Sequence, residues 1–229
     1  MLELRDLSGG YDSLVIVNDL NLVVPTGSVT ALLGPNGAGK TTTLRLLMGL
    51  LKPQSGEVWF EGRDITALAP QERAKLGICY IPEGRAIFPS LSVRDNLIVL
   101  SPADDEDGIE RVVAAFPVLG DRLGQRAGTL SGGEQRMLGL ARAYLQNPRL
   151  ILVDEPSLGL APIIIDRIFD SLRTLAATGV SLLVVEQYAQ KAMALADEVY
   201  VMAKGQIQVS GSPTEMRNQL DLLGTYFTG

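Results

Sequence analysis

The chain has 229 residues, of which 46% are apolar, and it carries a net charge of −6, one cysteine and no histidine. This composition is sufficient for one globular domain with a buried core, and the acidic balance gives no bulk attraction to nucleic acid or anionic lipid. The lone Cys79 excludes an internal disulfide, and the lack of histidine excludes the usual zinc ligand sets, so any metal is expected to be held by oxygen.

Membrane and export signals are weak throughout the sequence. Every apolar run is shorter than the roughly 18 to 20 residues that a membrane-crossing helix needs. The first residues, MLELRDLSGG, lack the basic and then apolar layout of a signal peptide. We therefore expect a cytosolic or peripheral protein.

The elements predicted along the chain indicate an α/β fold. The first 25 residues, LELRDLSGGY followed by SLVIVNDLNLVVPTG, predict antiparallel β-structure. Short apolar runs then alternate in part with helical patterns such as KTTTLRLLMGL, which predicts a mostly parallel central sheet. These runs are VTALLG, EVWFEG, LGICYIP, LILVDE, GVSLLVVE and EVYVMA. Near the end, VYVMAKGQIQVSG predicts a hairpin that turns at Lys204-Gly205. This hairpin and the antiparallel β-structure of the first residues are expected to form a β layer beside the core.

Residues 34–42, GPNGAGKTT, match the pattern G-x-x-x-x-G-K-[ST] between an apolar strand and a helical pattern. The glycines let successive N–H groups face a polyphosphate, the lysine supplies positive charge, and the threonine hydroxyl after it can ligate Mg²⁺. The predicted nucleotide contacts are Gly34, Pro35, Asn36, Gly37, Ala38, Gly39, Lys40, Thr41 and Thr42. The alternative is an ordinary glycine-rich turn with a surface lysine.

Strand patterns lapse between about residues 85 and 130, where LSVRDNLIVL and IERVVAAFPVLGDRL predict helices. We interpret the acidic residues Asp104, Asp105, Glu106 and Asp107 as a solvated loop near a helix start. The expected organisation is a single domain over residues 1–229 with a helical subdomain inserted over about residues 85–150.

Two further motifs follow. LSGGEQ at 130–135 opens a long helical pattern. Its serine and glycines offer N–H donors and the positive end of a helix dipole to an anion, or they simply cap the helix.

LILVDEP at 150–156 is an apolar strand that ends in two acids. Asp154 is placed to hold Mg²⁺ and Glu155 to polarise an attacking water as general base. Alternatively, the pair caps a helix that begins near SLGLAP.

Together the three motifs resemble the ATP-binding cassette family over essentially the whole chain. The resemblance implies a P-loop NTPase of the ABC type, with a mostly parallel central sheet, an antiparallel β subdomain and a helical subdomain. It also implies ATP and Mg²⁺ as cofactors and a head-to-tail dimer, in which Ser131, Gly132 and Gly133 cap the γ-phosphate bound by the other subunit. By family position, Tyr11 would stack on adenine.

Three positions depart from the family pattern. Glu83 replaces the usual glutamine after ICYIP, and its carboxylate can still ligate Mg²⁺. Ala161 stands where an aspartate often precedes the proline. Gln187 stands where most members place a histidine, and we expect it to position the γ-phosphate and to leave any base work to Glu155. The alternative is that Gln187 is a polar loop residue in an impaired site.

The segments PEGRAIFPSL, DEPSLGLAP and VVEQYA resemble one branch of the family, the LivF-like ATP-binding subunits of branched-chain amino-acid importers. This branch implies an ATPase, peripheral on the cytoplasmic side of the inner (plasma) membrane, that pairs with itself or with a sister ATPase subunit. It implies separate integral membrane permease subunits, an indirect solute-binding protein and no nucleic acid. The alternatives are an importer ATPase for urea or short amides, a cassette ATPase of DNA repair or the ribosome, and a nucleotide-gated scaffold that does not split ATP.

Overall fold

The computed structural model describes residues 1–84, 86–102 and 107–217, and the strands of this part form two sheets. Asp104, Asp105 and Glu106 of the predicted acidic loop lie outside the described residues. Asp107 is exposed and immediately precedes a helix that begins at Gly108.

The first sheet is antiparallel and has the order β2-β1-β4-β5. Its strands are β1 (Leu2–Tyr11), β2 (Leu14–Val24), β4 (Ser55–Phe60) and β5 (Arg63–Asp64). The antiparallel β-structure predicted at the start of the chain is confirmed, because β1 pairs antiparallel with β2. The run EVWFEG, expected among the strands of the parallel sheet, pairs with β1 instead.

The second sheet is mostly parallel, which confirms the predicted fold class, and has the order β10-β9-β3-β8-β7-β6. Its strands are β3 (Val29–Leu33), β6 (Ile78–Ile81), β7 (Leu150–Asp154), β8 (Ser181–Glu186), β9 (Glu198–Ala203) and β10 (Gln206–Gly211). Every residue of β3, β7 and β8 is buried, as expected for parallel strands that are covered on both faces.

One expectation about this sheet was wrong. The hairpin around Lys204 and Gly205 exists, and both residues have positive φ, as a two-residue hairpin turn requires. It does not join a β layer beside the core, however, because β9 pairs in parallel with β3. The reason is that the residues of β9 from Val201 to Ala203 are buried on both faces of the strand, so it belongs inside the central sheet.

Helices cover the central sheet. They are α1 (Lys40–Leu47), α2 (Pro70–Lys75), α3 (Val93–Leu100), α4 (Gly108–Ala115), α5 (Pro117–Gly120), α6 (Gly132–Gln146), α7 (Pro162–Ala177) and α8 (Ala189–Met193). Side chains of α1 and the antiparallel sheet pack on one face of β7, at Leu150 and Leu152, and those of α3, α4, α6 and α7 pack on the other, at Ile151 and Val153. Among the described helices, none has the length and apolar character that a bilayer crossing demands.

The parallel topology determines at which edge of the sheet a functional site can form. Strands β3, β6, β7 and β8 all run in the same direction, so their carboxyl ends lie at one edge of the sheet. The segments that leave this edge begin at Gly34, Pro82, Glu155 and Gln187. Ligands of open α/β sheets bind at such an edge.

Candidate nucleotide-binding and catalytic site

The glycine-rich segment between β3 and α1 forms a tight loop around the Lys40 ammonium group. Gly37 and Gly39 have φ values of 79° and 108°, which side-chain-bearing residues rarely adopt, and Gly39 is the residue before the first turn of α1. Lys40 Nζ donates to the carbonyl oxygens of Gly34 (2.8 Å) and Pro35 (3.0 Å). The ammonium group is therefore fixed at the start of a helix, where N–H groups and the helix dipole favour an anion.

A cavity of about 450 Å³ opens beside this loop. Its lining residues are Tyr11, Ile16, Asn36, Gly37, Gly39, Lys40, Thr41, Thr42, Glu83, Glu155 and Leu158. Of the remaining predicted loop residues, Gly34 and Pro35 bind Lys40 through their carbonyl groups, and Ala38 accepts a hydrogen bond from the amide of Gly205 (2.9 Å). The structure thus brings most of the predicted nucleotide contacts together around one space.

Glu155 forms an ion pair with Lys40 at the cavity, with 3.0 Å between Glu155 Oε1 and Lys40 Nζ. Both side chains are nearly fully buried. Glu155 has a φ of 44°, a conformation that is strained for a residue with a side chain and is often found at functional sites. Its amide donates to the carbonyl oxygen of Val185 (2.9 Å), which holds the start of this loop against β8. The acid pair does not cap a helix, because α7 begins only at Pro162.

Asp154 lies behind the cavity wall and is completely buried. One carboxylate oxygen accepts from the Thr41 hydroxyl and the other from the Tyr80 hydroxyl, both at 3.1 Å. Burial raises the pKa of Asp154, and the two hydrogen bonds oppose this effect. Hydroxyl and carboxylate oxygens suit Mg²⁺, which proteins commonly hold through one or two carboxylates together with substrate phosphates. In the described part of the chain, no cluster of three or more aspartate, glutamate, cysteine or histidine side chains has the geometry of a metal site.

The raised pKa of Asp154 predicts a pH-dependent effect of Asp154→Asn. A carboxyl group that protonates more readily in the folded state stabilises the protein below its unfolded-state pKa, and this contribution is lost as the pH rises through the folded-state value. Without nucleotide, Asp154→Asn should therefore be more stable than the wild type at neutral pH. The advantage should shrink as the pH falls through the raised pKa. Urea unfolding of both proteins from pH 4 to pH 8 measures this difference, and a constant difference across the range would contradict the prediction.

Tyr11 contributes its ring to the cavity, and its hydroxyl accepts from Arg45 Nη1 (2.7 Å). The guanidinium carbon of Arg45 lies 5.9 Å from the centre of the ring. The aromatic ring is thus held at the cavity mouth by an arginine of α1, and it is 38% exposed. This geometry is compatible with the predicted adenine stacking, which stays a prediction.

Ser131, Gly132 and Gly133 open helix α6 away from the cavity lining. Ser131 Oγ accepts from the amide of Glu134 (3.3 Å), and the Ser131 amide donates to Glu134 Oε2 (2.8 Å), which together make a capping box. The expectation of free N–H donors is therefore wrong for Ser131, because its own amide is already bonded. The predicted contact with a phosphate in another subunit stays a prediction.

Gln187 follows β8 and is one of the residues that line a neighbouring cavity of about 400 Å³ beside α7 and α8. Its backbone amide donates to Glu186 Oε2 (3.0 Å). Gln187 is not among the residues that line the nucleotide cavity, although it lies at the same edge of the sheet.

Gln187→Ala tests the predicted contact with the γ-phosphate. We expect ATP turnover to fall about tenfold or more, because a hydrogen bond to a charged group contributes about 1.5–3 kcal/mol. Gln190→Ala is a matched control, since Gln190 lines the same neighbouring cavity. Unchanged turnover in Gln187→Ala, or an equal loss in both variants, would show that Gln187 is a loop residue without this contact.

Four residues of the site were not identified from the sequence. They are Arg45, Tyr80, Arg136 and Glu186, all of which bind predicted site residues or the backbone beside them. The only sequence signal was a charged or polar residue within an otherwise apolar segment, such as Arg136 in GEQRMLGLA and Glu186 at the end of SLLVVE. That signal does not say which segment the side chain contacts.

The comparisons with known proteins agree with this geometry. The family described as ABC transporter matches residues 17–158. The chain is 41% identical over 211 residues to the high-affinity branched-chain amino acid transport ATP-binding protein BraG of Pseudomonas aeruginosa, covering 90% of this chain and 91% of BraG. It is 36% identical to the probable branched-chain amino acid transport ATP-binding protein LivF of Archaeoglobus fulgidus, with 94% of both chains covered.

A relative whose name describes an export system is similarly close. The lipopolysaccharide export system ATP-binding protein LptB of Acidithiobacillus ferridurans is 36% identical over 224 residues, covering 94% of this chain and 92% of LptB. Among solved structures, the ADP conformation of MJ1267, an ATP-binding cassette of an ABC transporter, superposes with a TM-score of 0.87 at 28% identity, covering 100% of this chain and 99% of that one.

Proposed function

Because this chain belongs to the ABC transporter family and is one of its ATP-hydrolysing cassettes, we propose that it powers an importer of branched-chain amino acids. The single observation that carries the import function is the 41% identity to BraG over 90% of the chain. The departures at Glu83, Ala161 and Gln187, together with the identity to LivF, support the same branch. We also propose that residues 1–229 form one nucleotide-binding domain.

The proposed roles of the site residues follow from the cavity. The loop from Gly34 to Thr42 would bind the phosphates of ATP, and a bound phosphate would take Lys40 away from Glu155. Glu155 would then be free to accept a proton from the attacking water. Thr41, Asp154 and Glu83 would supply oxygen ligands for Mg²⁺, which neutralises phosphate charge when bound.

The proposed active form is a head-to-tail dimer with a second copy or a sister cassette. Support comes from exposed apolar side chains in the segments that follow β7 and β8, since Leu158, Ile163 and Tyr188 are 44%, 64% and 57% exposed. Ser131, Gly132 and Gly133 would then reach the phosphate held by the partner subunit. If the chain pairs with itself, ATP turnover should rise faster than linearly with protein concentration.

The proposed membrane partner is a permease, which would keep the chain peripheral on the cytoplasmic side of the membrane. A cleft of about 620 Å³ beside Pro82 supports such a contact. Its lining includes Arg45 and Arg142 and apolar residues that follow α1, namely Met48, Leu50 and Leu51. A permease segment with an apolar face and an acidic side chain would match the lining. The cleft borders Tyr80, which binds Asp154, so docking there would lie close to the proposed metal site.

Uptake measured in the source cell tests the import function. We expect a chromosomal Glu155→Gln substitution to abolish uptake of radiolabelled leucine, isoleucine and valine at low external concentration. Glu57→Gln is the matched control, because Glu57 is exposed on the antiparallel sheet. Normal leucine uptake with lost urea uptake would assign the transporter to urea or short amides and overturn the proposal.

A second candidate function is that of the ATP-hydrolysing subunit of a lipopolysaccharide exporter. The 36% identity to LptB over 94% of the chain favours it. The same variant decides between the two. Export would leave amino-acid uptake intact, and lipopolysaccharide would fail to reach the cell surface.

A further inference from the structure

Arg136 is a buried arginine in the second turn of α6 that has no role in the function proposed so far. The residue is 6% exposed, and its guanidinium group is surrounded by backbone carbonyl groups of two separate loops. The acceptors are the carbonyl oxygens of Pro82 (2.9 Å), Gly84 (2.6 Å), Asp154 (2.5 Å), Glu155 (2.6 Å) and Pro156 (3.4 Å). All three guanidinium nitrogens donate at least one of these hydrogen bonds.

The two loops are those that carry the acids of the nucleotide cavity. Glu83 lies between the two acceptors of the first loop, Pro82 and Gly84, and lines the cavity. Glu155 belongs to the second loop, which follows the neighbouring strand β7, and it also lines the cavity. A planar guanidinium with donors in fixed directions can set the separation of two such loops, whereas a lysine ammonium is a compact point charge on a flexible stem.

The second loop is also held from its other side. Glu186 is fully buried, and its Oε1 accepts from the amide of Ser157 (2.9 Å). Its Oε2 accepts from the amides of Gln187 (3.0 Å) and Tyr188 (3.3 Å). The loop that presents Glu155 is therefore bound through carbonyl oxygens by a buried cation and through an amide by a buried anion.

We propose that Arg136 is a positioning residue that fixes Glu83 and Glu155 relative to each other and to the helix that begins at the LSGGEQ segment. A shift of α6 would then move both acids together, so the segment expected to contact the partner subunit's nucleotide is mechanically linked to the cavity of its own chain. This inference rests on the proposed role of Glu155 in hydrolysis.

The chain supplies a matched control in Arg73. This residue is also fully buried, and among the described residues its guanidinium donates to backbone carbonyl groups, those of Leu46, Leu47, Thr66 and Leu68. Its acceptors lie away from the nucleotide cavity lining. Arg73→Lys therefore reproduces the loss of a buried guanidinium without touching either acidic loop.

The experiment compares Arg136→Lys and Arg73→Lys by hydrogen exchange and by ATP turnover. For Arg136→Lys we expect faster amide exchange in peptides spanning residues 82–88 and 154–158 together. We also expect kcat to fall about 10- to 100-fold with KM within about threefold, because small misplacements of catalytic groups cost up to about 10²-fold. For Arg73→Lys we expect exchange to rise only near its own acceptors and kcat to stay within about twofold.

Three results would overturn the proposal: unchanged exchange in both loops, faster exchange in only one of them, or an equal fall of kcat in Arg73→Lys. If Arg136→Lys does not fold, Arg136→Gln serves instead, since it leaves no buried charge. The exchange measurement needs no turnover. A wild-type chain no more active than Glu155→Gln would therefore count against the proposed hydrolysis by this chain alone, and the exchange data would still decide the role of Arg136.

Discussion

Glu155→Gln should lower steady-state ATP turnover by about 10² to 10⁴, the contribution that a positioned general base makes to a reaction. Glutamine has the shape of glutamate but cannot accept a proton from water at neutral pH. Nucleotide binding should be retained or strengthened, because Lys40 no longer has a carboxylate partner 3.0 Å away that competes with phosphate. The measurements are turnover over a range of protein concentrations and titration with a fluorescent ATP analogue.

Glu57→Gln is the control for this experiment, because it makes the same chemical change at an exposed position on the antiparallel sheet. Its turnover should equal that of the wild type. A Glu155→Gln protein that retains more than a tenth of wild-type turnover would exclude Glu155 as the base.

Lys40→Met should weaken ATP binding by about 100-fold, since a hydrogen bond between charged partners contributes up to about 3 kcal/mol and each 1.4 kcal/mol is about tenfold in affinity. The variant should also lose stability. Lys40 and Glu155 form a buried pair, and removing one partner of such a pair typically costs about 3–5 kcal/mol, because the remaining charge stays buried. Calorimetric ATP titration and urea unfolding measure the two effects.

The double variant Lys40→Met with Glu155→Gln separates these effects. It has no unpaired buried carboxylate, so stability should recover towards the wild-type value while ATP affinity stays low. If the double variant is as unstable as Lys40→Met alone, the ion pair is not the cause of the loss. If its affinity recovers with its stability, Lys40 does not bind phosphate directly.

The sequence was informative where the residues of one motif lie close together in the chain. The phosphate loop and the acid pair each lie within nine residues, and the strand or helix next to them follows from the same local pattern. For this reason the separate roles of Lys40, Thr41 and Glu155 could be predicted from their motifs, whereas their meeting in one site was implied by the family resemblance. The antiparallel β-structure of the first residues was predicted for the same reason, because β1 and β2 are neighbours in the chain.

The contacts that the sequence could not predict join distant segments. Tyr80 binds Asp154 across 74 residues and Arg136 binds the backbone of Pro82 across 54, and spacing carries no signal over such separations. The C-terminal hairpin shows the same limit, since its turn is local but its pairing with β3 depends on burial. The position of Gln187 after a strand was evident, but its place in the lining of a neighbouring cavity was not, because that cavity also includes residues of α7 and α8.

The parallel strands also give the two edges of the central sheet different roles. At the edge opposite the site, the backbone amides of Gly27 and Val29 donate to the side chains of Ser181 and Asp197, contacts that hold turns in place. We therefore expect substitutions in those turns to leave ATP turnover unchanged. An affinity tag or fluorescent reporter next to Gly179, which is exposed, should likewise leave turnover unchanged.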